Sequence, residues 1–474
     1  LIEAATTERI TTQSTSRLRH RAIILLGRGI YASLLLLISF TAIPYGTVEP
    51  WWKAFFVCCI FILAIGWIAE GLLSGSWHTG GVSVLLPMVG LAAYALLQTI
   101  PLRRLNAAGI ESMWSAISAD AYQTRFFALQ IGALAIAAAL FFRYARTRSR
   151  ISTVIHVILG VAVVSAVFGI LRQTTQSEVG FGLPLIKPGQ GYGQFINKNH
   201  FAFLMEMALG LALGLMVAGK ITRERAIVYL ASLLPIWTAL VLANSRGGLL
   251  AMLAQFVLAA VLFNQVSGKP HRGEPGIFKI ARNWTVRIGL VAVLIAGIVG
   301  GTVWVGGDRL ISNIEAVGTE FDPAAASRYG STRTEIWQAT GKMIAEHPIA
   351  GVGLGGYWVA ISAYHDSSGK RTPHEAHSDY LELLASGGII GFGLGIWFVA
   401  AVWKRISSNL KSRDSQRRAH TFAATLAIAG VAVHSLVDFG LHMMVNALIF
   451  IALITIATAE KNLKPEADQR LDYV

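Results

Sequence analysis

Long apolar runs joined by short basic connections predict an all-α, polytopic membrane protein. Three observations carry this. Only 14% of the residues are charged, against about 25% in soluble domains, and 54% are hydrophobic. Many apolar runs reach about 20 residues, the length of a helix that crosses a bilayer core of roughly 30 Å. Short segments of alternating hydrophobicity, the mark of a membrane barrel, do not appear.

The runs place helices at 22–43, 53–75, 80–100, 126–142, 151–171, 200–219, 226–243, 247–266, 287–306, 384–403, 419–437 and 441–459, about 12 transmembrane helices in all. Twelve crossings put both termini on one side. Residues 1–21 are polar and basic, without a short apolar core and a small-residue cleavage site behind them, so no cleaved signal peptide is expected. Cys58 and Cys59 are adjacent inside an apolar run and read as packing residues, neither a disulfide nor a metal site.

Orientation follows from Lys and Arg in the connections. Of the 40 such residues, 25 fall in segments that are cytoplasmic if the N-terminus is. Another 14 fall in the opposite connections, and Arg28 lies inside the first helix. Both termini are therefore expected in the cytoplasm. The long loop 307–383 is expected outside, where its ten acidic residues outnumber its six Lys and Arg. This divides the chain into transmembrane helices 1–9 (1–306), an extracytoplasmic loop domain with short helices (307–383), and helices 10–12 with a cytoplasmic tail (384–474). The net charge of +14 suits a protein facing anionic lipid. The positives are scattered between helices rather than gathered on one domain, which argues against nucleic-acid binding.

Three outside segments carry the polar chemistry. The first is Gly189-Gln-Gly-Tyr-Gly-Gln-Phe-Ile-Asn-Lys-Asn-His200. It puts Lys198, Asn199 and His200 at a helix start, where backbone N–H groups and the positive helix end favour an anion. An ordinary capped connection accounts for it equally well. The second is Asn244-Ser-Arg-Gly-Gly248, whose Arg246 is the only charged residue between Arg225 and Lys269. It either snorkels to the interface or serves a functional role.

The third is the long loop. Arg328 and Arg333 precede an amphipathic helix with Ile336, Thr340, Met343 and Ile344 on one side, a face expected to lie along the membrane surface. Pro348, after His347, should end it. Gly351-Val-Gly-Leu-Gly-Gly356 has the spelling of a dinucleotide fingerprint but no βαβ unit around it, and reads as a tight turn leading to Tyr357. His365, His374, His377 and Asp379 follow. His374 and His377 would share a helix face, yet spacing supplies no third strong zinc ligand. Gly387, Gly388 and Gly391 then permit close helix packing.

Arginine forks bind phosphate oxygens bidentately and stay charged. Arg246 and Arg333, distant in sequence but both near the outer face, suit a lipid pyrophosphate and would stabilise charge on it as a leaving group. A nearby histidine can take a proton from a hydroxyl nucleophile at neutral pH. No acidic metal-binding pair is evident, and no cofactor is called for. Alternatively, both arginines pair with loop acids such as Glu335 or Asp379.

These residues resemble a known family. Ser245-Arg-Gly-Gly-Leu-Leu250, Arg333 with Trp337 leading to His347-Pro-x2-Gly-Val-Gly-Leu-Gly355, and His377-Ser-x9-Gly388-x2-Gly391 are similar to the O-antigen ligase / O-antigen polymerase family. Asn199-His-Phe-Ala202 and His434-Ser-Leu-Val-Asp-Phe439 also resemble segments of its members. The likeness runs from about residue 190 onward. It implies a GT-C-like glycosyltransferase of the bacterial inner membrane, with a periplasmic active site and an undecaprenyl-pyrophosphate-linked glycan as donor. It further implies metal-independent, inverting transfer to an acceptor glycolipid or glycan. By position, Arg246 and Arg333 would hold the pyrophosphate and His377 would activate the acceptor hydroxyl. Lys198, Asn199, His200, Arg328, His347, Tyr357, His374 and Asp379 would bind substrate. Ser378 stands where many members have Asn, and His374 competes with His377 for the base role.

The expected function is therefore O-antigen ligase-type transfer to lipid A–core. A repeat-unit polymerase of the same family is the alternative. A small-anion transporter would show internal repeats and broken helices in both halves. A scaffold for polysaccharide assembly would need no arginine–histidine set.

Overall fold

The structure is a computed structural model that describes residues 2–43, 48–77, 79–101, 116–175, 191–218, 223–266, 333–365 and 373–460. The expected helix at 287–306 and Arg328 lie outside these residues. Among the described residues the secondary structure is helical, with α1 (Ile2–Thr41), α2 (Pro50–Ser74), α3 (Val82–Gln98), α4 (Ala121–Tyr144), α5 (Arg148–Thr175), α6 (Lys198–Val217), α7 (Arg223–Leu242) and α8 (Arg246–Val266). There follow α9 (Arg333–Glu346), the single turn α10 (Tyr357–Ala360), α11 (Asp379–Leu410), α12 (Ser415–His434) and α13 (Met444–Ala457).

Eight of these helices are long and apolar enough to cross a membrane: α1, α2, α4 to α8 and α11. The chain is an integral, polytopic membrane protein. Three further expected spans are helices that fall short of that standard. The helices α3 and α13 have only 17 and 14 residues, and α12 opens on Ser415-Gln-Arg-Arg418. For α13 the reason is burial. In α13 every residue but Phe450 is buried, so its length answers to neighbouring helices rather than to lipid.

The helices α6 and α12 form the centre of the bundle. Gly210 and Gly214 stand one turn apart on α6, facing Ala427 and Ala423 of α12. A Cβ on Gly214 would come within 2.3 Å of Ala423 Cα. Lipid tails give apolar helices no hydrophobic reason to associate, so close backbone packing over small residues takes that role. One turn nearer the helix start, Glu206 and His434 meet in full burial, Oε2 to Nδ1 at 2.8 Å. A second buried pair, Glu70 with Arg143 at 3.0 Å, ties α2 to α4 near the other end of the bundle, and Tyr144 donates to the same carboxylate. In the Glu70–Arg143 pair each charge satisfies the other where water cannot.

At the site end, the apolar face of α9 turns inward. Ile336, Thr340 and Met343 are buried, and Ala339 and Met343 pack with Val352, Tyr357, Ile361 and Ala385. The expectation that this face lies on the membrane surface is corrected: protein covers it. The helix ends at Glu346, one residue before His347-Pro348, as the backbone restriction before proline requires.

The helix α11 begins at Asp379, five residues before the expected 384, and is broken at Gly388, where φ is 58° and ψ is −163°. The carbonyls freed by this kink are taken up by the glycine-rich turn. Val352 N donates to Ala385 O and Gly353 N to Ser386 O, at 3.0 and 2.9 Å. From α3, Tyr94 and Gln98 donate to Gly387 O and Ser386 O. Only glycine fits there: a Cβ on Gly388 would sit 2.2 Å from Ile349 O.

Candidate functional site

The site is built on the loop after α12. Its buried centre is Asp438, 1% exposed and the only acidic residue between Asp414 and Glu460. Asn199, in the first turn of α6, donates to its Oδ2. The Phe439 N–H donates to Oδ1 at 2.9 Å. Arg333, the first residue of α9, places Nη2 3.7 Å from Oδ2, and His377 places Nδ1 3.9 Å from Oδ1. Both are ion-pair rather than hydrogen-bond distances. The Arg333 and His377 side chains stay about one-third exposed, so each has a free edge toward a ligand. Burial pushes the Asp438 carboxyl up, but the His377 and His200 rings and the Phe439 N–H outweigh it and hold it well below the usual carboxylate range.

Backbone contacts bring His377 there. The Asp379 N–H, at the start of α11, donates to Ser435 O at 3.1 Å and Asp438 O at 3.3 Å, where α12 has ended. An N-terminal donor thus meets C-terminal carbonyls, and each supplies what the other lacks. Ser378 caps α11, its hydroxyl accepting from Leu381 N. His377, just before the cap, takes a left-handed conformation with φ 50°. That conformation is uncommon for side-chain-bearing residues, least so for Asn, Asp and His, and it clusters at functional sites.

Phe439 is a hub for three imidazoles. His200, His377 and His442 pack edge-on against its ring at centroid distances of 4.9, 5.0 and 5.6 Å. His442 Nε2 lies 3.7 Å from Asp379 Oδ1 and 3.6 Å from Glu382 Oε1. Asp379 accepts from the Ser435 hydroxyl at 2.6 Å, and Arg333 faces Asp438.

Arg246 begins α8, immediately before a point of close packing. A Cβ on Gly247 would fall 2.4 Å from His434 Nε2 and 3.1 Å from Val437 Cγ2. The start of α8 is therefore pressed against the turn that leads into Asp438. Asn244, with φ 49°, makes the sharp turn before it, a conformation Asn tolerates.

Arg333, His377, Asn199 and His200 thus converge on one turn, with Arg246 beside it. Lys198 is exposed one residue before Asn199. The others are placed apart. His374 stacks on Trp358 at 5.8 Å and lines a neighbouring cavity. Tyr357 is buried with its hydroxyl 2.7 Å from Thr340 Oγ1, and His347 sits at the far end of α9, about 20 Å from Arg333 at 1.5 Å per residue. Burial pushes the Glu375 carboxyl up, against the pull of His374, His377 and Lys53. Among the described residues no three His, Cys, Asp or Glu side chains are grouped to hold a metal ion.

Asp438 and His442 were not singled out by the motifs as site residues. The signal for Asp438 was its isolation: one acid in an otherwise uncharged stretch near a membrane surface is functional by default.

The chain matches none of the curated proteins compared with it. Residues 230–396 match the family model described as O-antigen ligase. The match takes in Arg246, Arg333 and His377, while Asn199 and Asp438 lie outside it. Over that stretch, about a third of the chain, it is similar to the O-antigen ligase family.

Proposed function

We propose that this protein transfers a glycan from undecaprenyl pyrophosphate to an acceptor hydroxyl on the periplasmic side of the bacterial inner membrane, as a ligase acting on lipid A–core. The observation that supports it best is the meeting of Arg333 and His377 at the buried Asp438. The His377 ring has its Nδ1 edge toward Asp438 and is about one-third exposed. A carboxylate at Nδ1 favours the tautomer with the proton there and leaves Nε2 to accept one. The acceptor hydroxyl would give its proton to Nε2 as its oxygen attacks the anomeric carbon. Inverting transfer would require the anomeric carbon to bind between His377 Nε2 and the arginines, so that the pyrophosphate leaves on the side opposite the attacking oxygen. The departing oxygens gain negative charge, which the Arg333 and Arg246 guanidiniums stabilise. Two fixed cations supply the electrostatic help that Mg²⁺ gives elsewhere. Apo distances of 3.7 and 3.9 Å are expected to tighten when the substrate is bound.

The test uses purified full-length protein, a polyprenyl-pyrophosphate-linked oligosaccharide and EDTA, with lipid A–core added or omitted. Release of polyprenyl pyrophosphate only with lipid A–core is the expected result. Release without it, with a lengthening glycan, would replace the ligase reading by a polymerase. No release with either, given active substrate controls, would overturn the transfer reading.

A further inference from the structure

Next to the Asp438 turn lies a cavity of about 690 Å³, within the range of roughly 300–1,000 Å³ usual for small-ligand sites. Its walls are the starts of α2 and α4, the turn at 354–358, His374-Glu375 and the segment 441–444. Its inner part is apolar, with Phe127, Ile131, Leu134 and Met444. Its outer part is polar and aromatic. Trp51 and Trp358 are 60% and 42% exposed there, and Trp358 is held by its Nε1 donating to Asp120 at 3.3 Å and by its stack on His374.

The charges sort ligands. Glu375 and Glu382 face the cavity with Lys53 as the one lysine and with no arginine, whereas the neighbouring Asp438 turn carries arginines. A phosphate is favoured at the arginines, while the cavity offers it one lysine and two partly buried carboxyls, that of Glu375 pushed up by burial. Aromatic rings at the rim offer apolar area with little conformational freedom to lose, and suit the C–H faces of pyranose rings. Carboxylate and amide groups (Glu375, Gln123 and Gln130) suit sugar hydroxyls, since an acceptor-rich site loses most when a hydroxyl is missing. The cavity also reaches the chemistry: His442 lines it and packs on the same Phe439 ring as His377.

We propose that this cavity is a saccharide subsite that binds phosphate-free sugar rings next to the reacting bond, with Trp51 and Trp358 of its lining as the aromatic contacts. The assignment rests on the transfer reading for its place in the reaction, but its binding is measured without turnover. The sugars belong either to the donor glycan or to the acceptor.

The experiment uses full-length protein in nanodiscs and two probes. One is the oligosaccharide released by mild acid from the host's lipid-linked glycan; the other is its dephosphorylated core oligosaccharide. At least one probe is expected to bind, and the probe that does names the source. Trp51→Ala and Trp358→Ala should each weaken it about tenfold, the equivalent of 1.4 kcal/mol. Arg333→Ala should leave it unchanged, and inorganic pyrophosphate should not displace it. Trp51 is largely exposed, so its removal leaves the core intact, and Glu375→Gln is a second variant that keeps shape. Binding of neither probe, unchanged binding in both tryptophan variants, or displacement by pyrophosphate would overturn the subsite. Normal saccharide binding by a protein that transfers nothing would sink the transfer reading and leave the subsite standing.

Discussion

His377 Nδ1 faces Asp438 Oδ1 at 3.9 Å across the join between the start of α11 and the end of α12. The two residues are 61 positions apart, and neither lies in a helix. What holds them is the Asp379 N–H on the carbonyls of Ser435 and Asp438. The left-handed backbone of His377 costs of the order of 1–3 kcal/mol and persists only because its surroundings fix it. His374, three residues earlier, stacks on Trp358 instead.

From this difference, His377→Ala should lower the transfer rate by on the order of 10²–10⁴, the usual weight of a general base. His374→Ala should change it far less and act on substrate affinity. Rates at saturating donor and acceptor check this. The reverse ranking would move the base to His374.

Arg333→Ala and Arg246→Ala should each abolish detectable transfer while the protein still expresses and inserts. Loss of one donor to developing negative charge costs about 10²–10³ in rate, and a lysine at either position restores charge but not the planar fork. Glycan product and membrane level, read together, test this. Normal product from either alanine variant would remove the pyrophosphate clamp.

Asp438→Asn should destabilise the protein at neutral pH by about 1–3 kcal/mol, because it removes the buried charge and puts an NH2 donor in place of one oxygen that accepts from Asn199 or Phe439 N. The folded carboxyl is held well below its unfolded value. Its stabilisation is therefore complete above the unfolded carboxylate value of about 3.9 and fades as pH falls toward the folded one. Melting temperatures in detergent at pH 7 and pH 3 should show a gap between variant and wild type that narrows in acid. A gap that widens in acid would contradict the assignment.

Gly388→Ala should lower the melting temperature and the activity together, since its Cβ would meet Ile349 O and its φ is 58°. Strain of this kind costs about 1–3 kcal/mol. Gly393→Ala, five residues along the same helix with nothing within 4 Å of the new Cβ, is the matched control and should be neutral in both readings.

Much of the architecture was legible in the sequence because the bilayer imposes a length and a polarity on each helix. Runs such as 151–171 and 226–243 became α5 and α7 with nearly the expected bounds. Arg246 and Arg333 stood out because a charge near hydrocarbon is costly and rarely idle. The shape of α13 was not legible: fourteen residues suffice when protein rather than lipid surrounds the helix. Nor was the inward turn of α9, whose amphipathic pattern fits a membrane surface and a protein surface equally well.

The sequence by itself determined a helical membrane protein with two exceptional arginines and a histidine-rich loop, since hydropathy and isolated charge are local properties of the chain. Only the tertiary structure decided that Arg333, His377 and Asn199 share the Asp438 carboxylate, and that His374 belongs to a separate cavity. Those relationships are set by backbone hydrogen bonds between helix ends far apart in the chain, and by glycines that let backbones meet where a Cβ would collide.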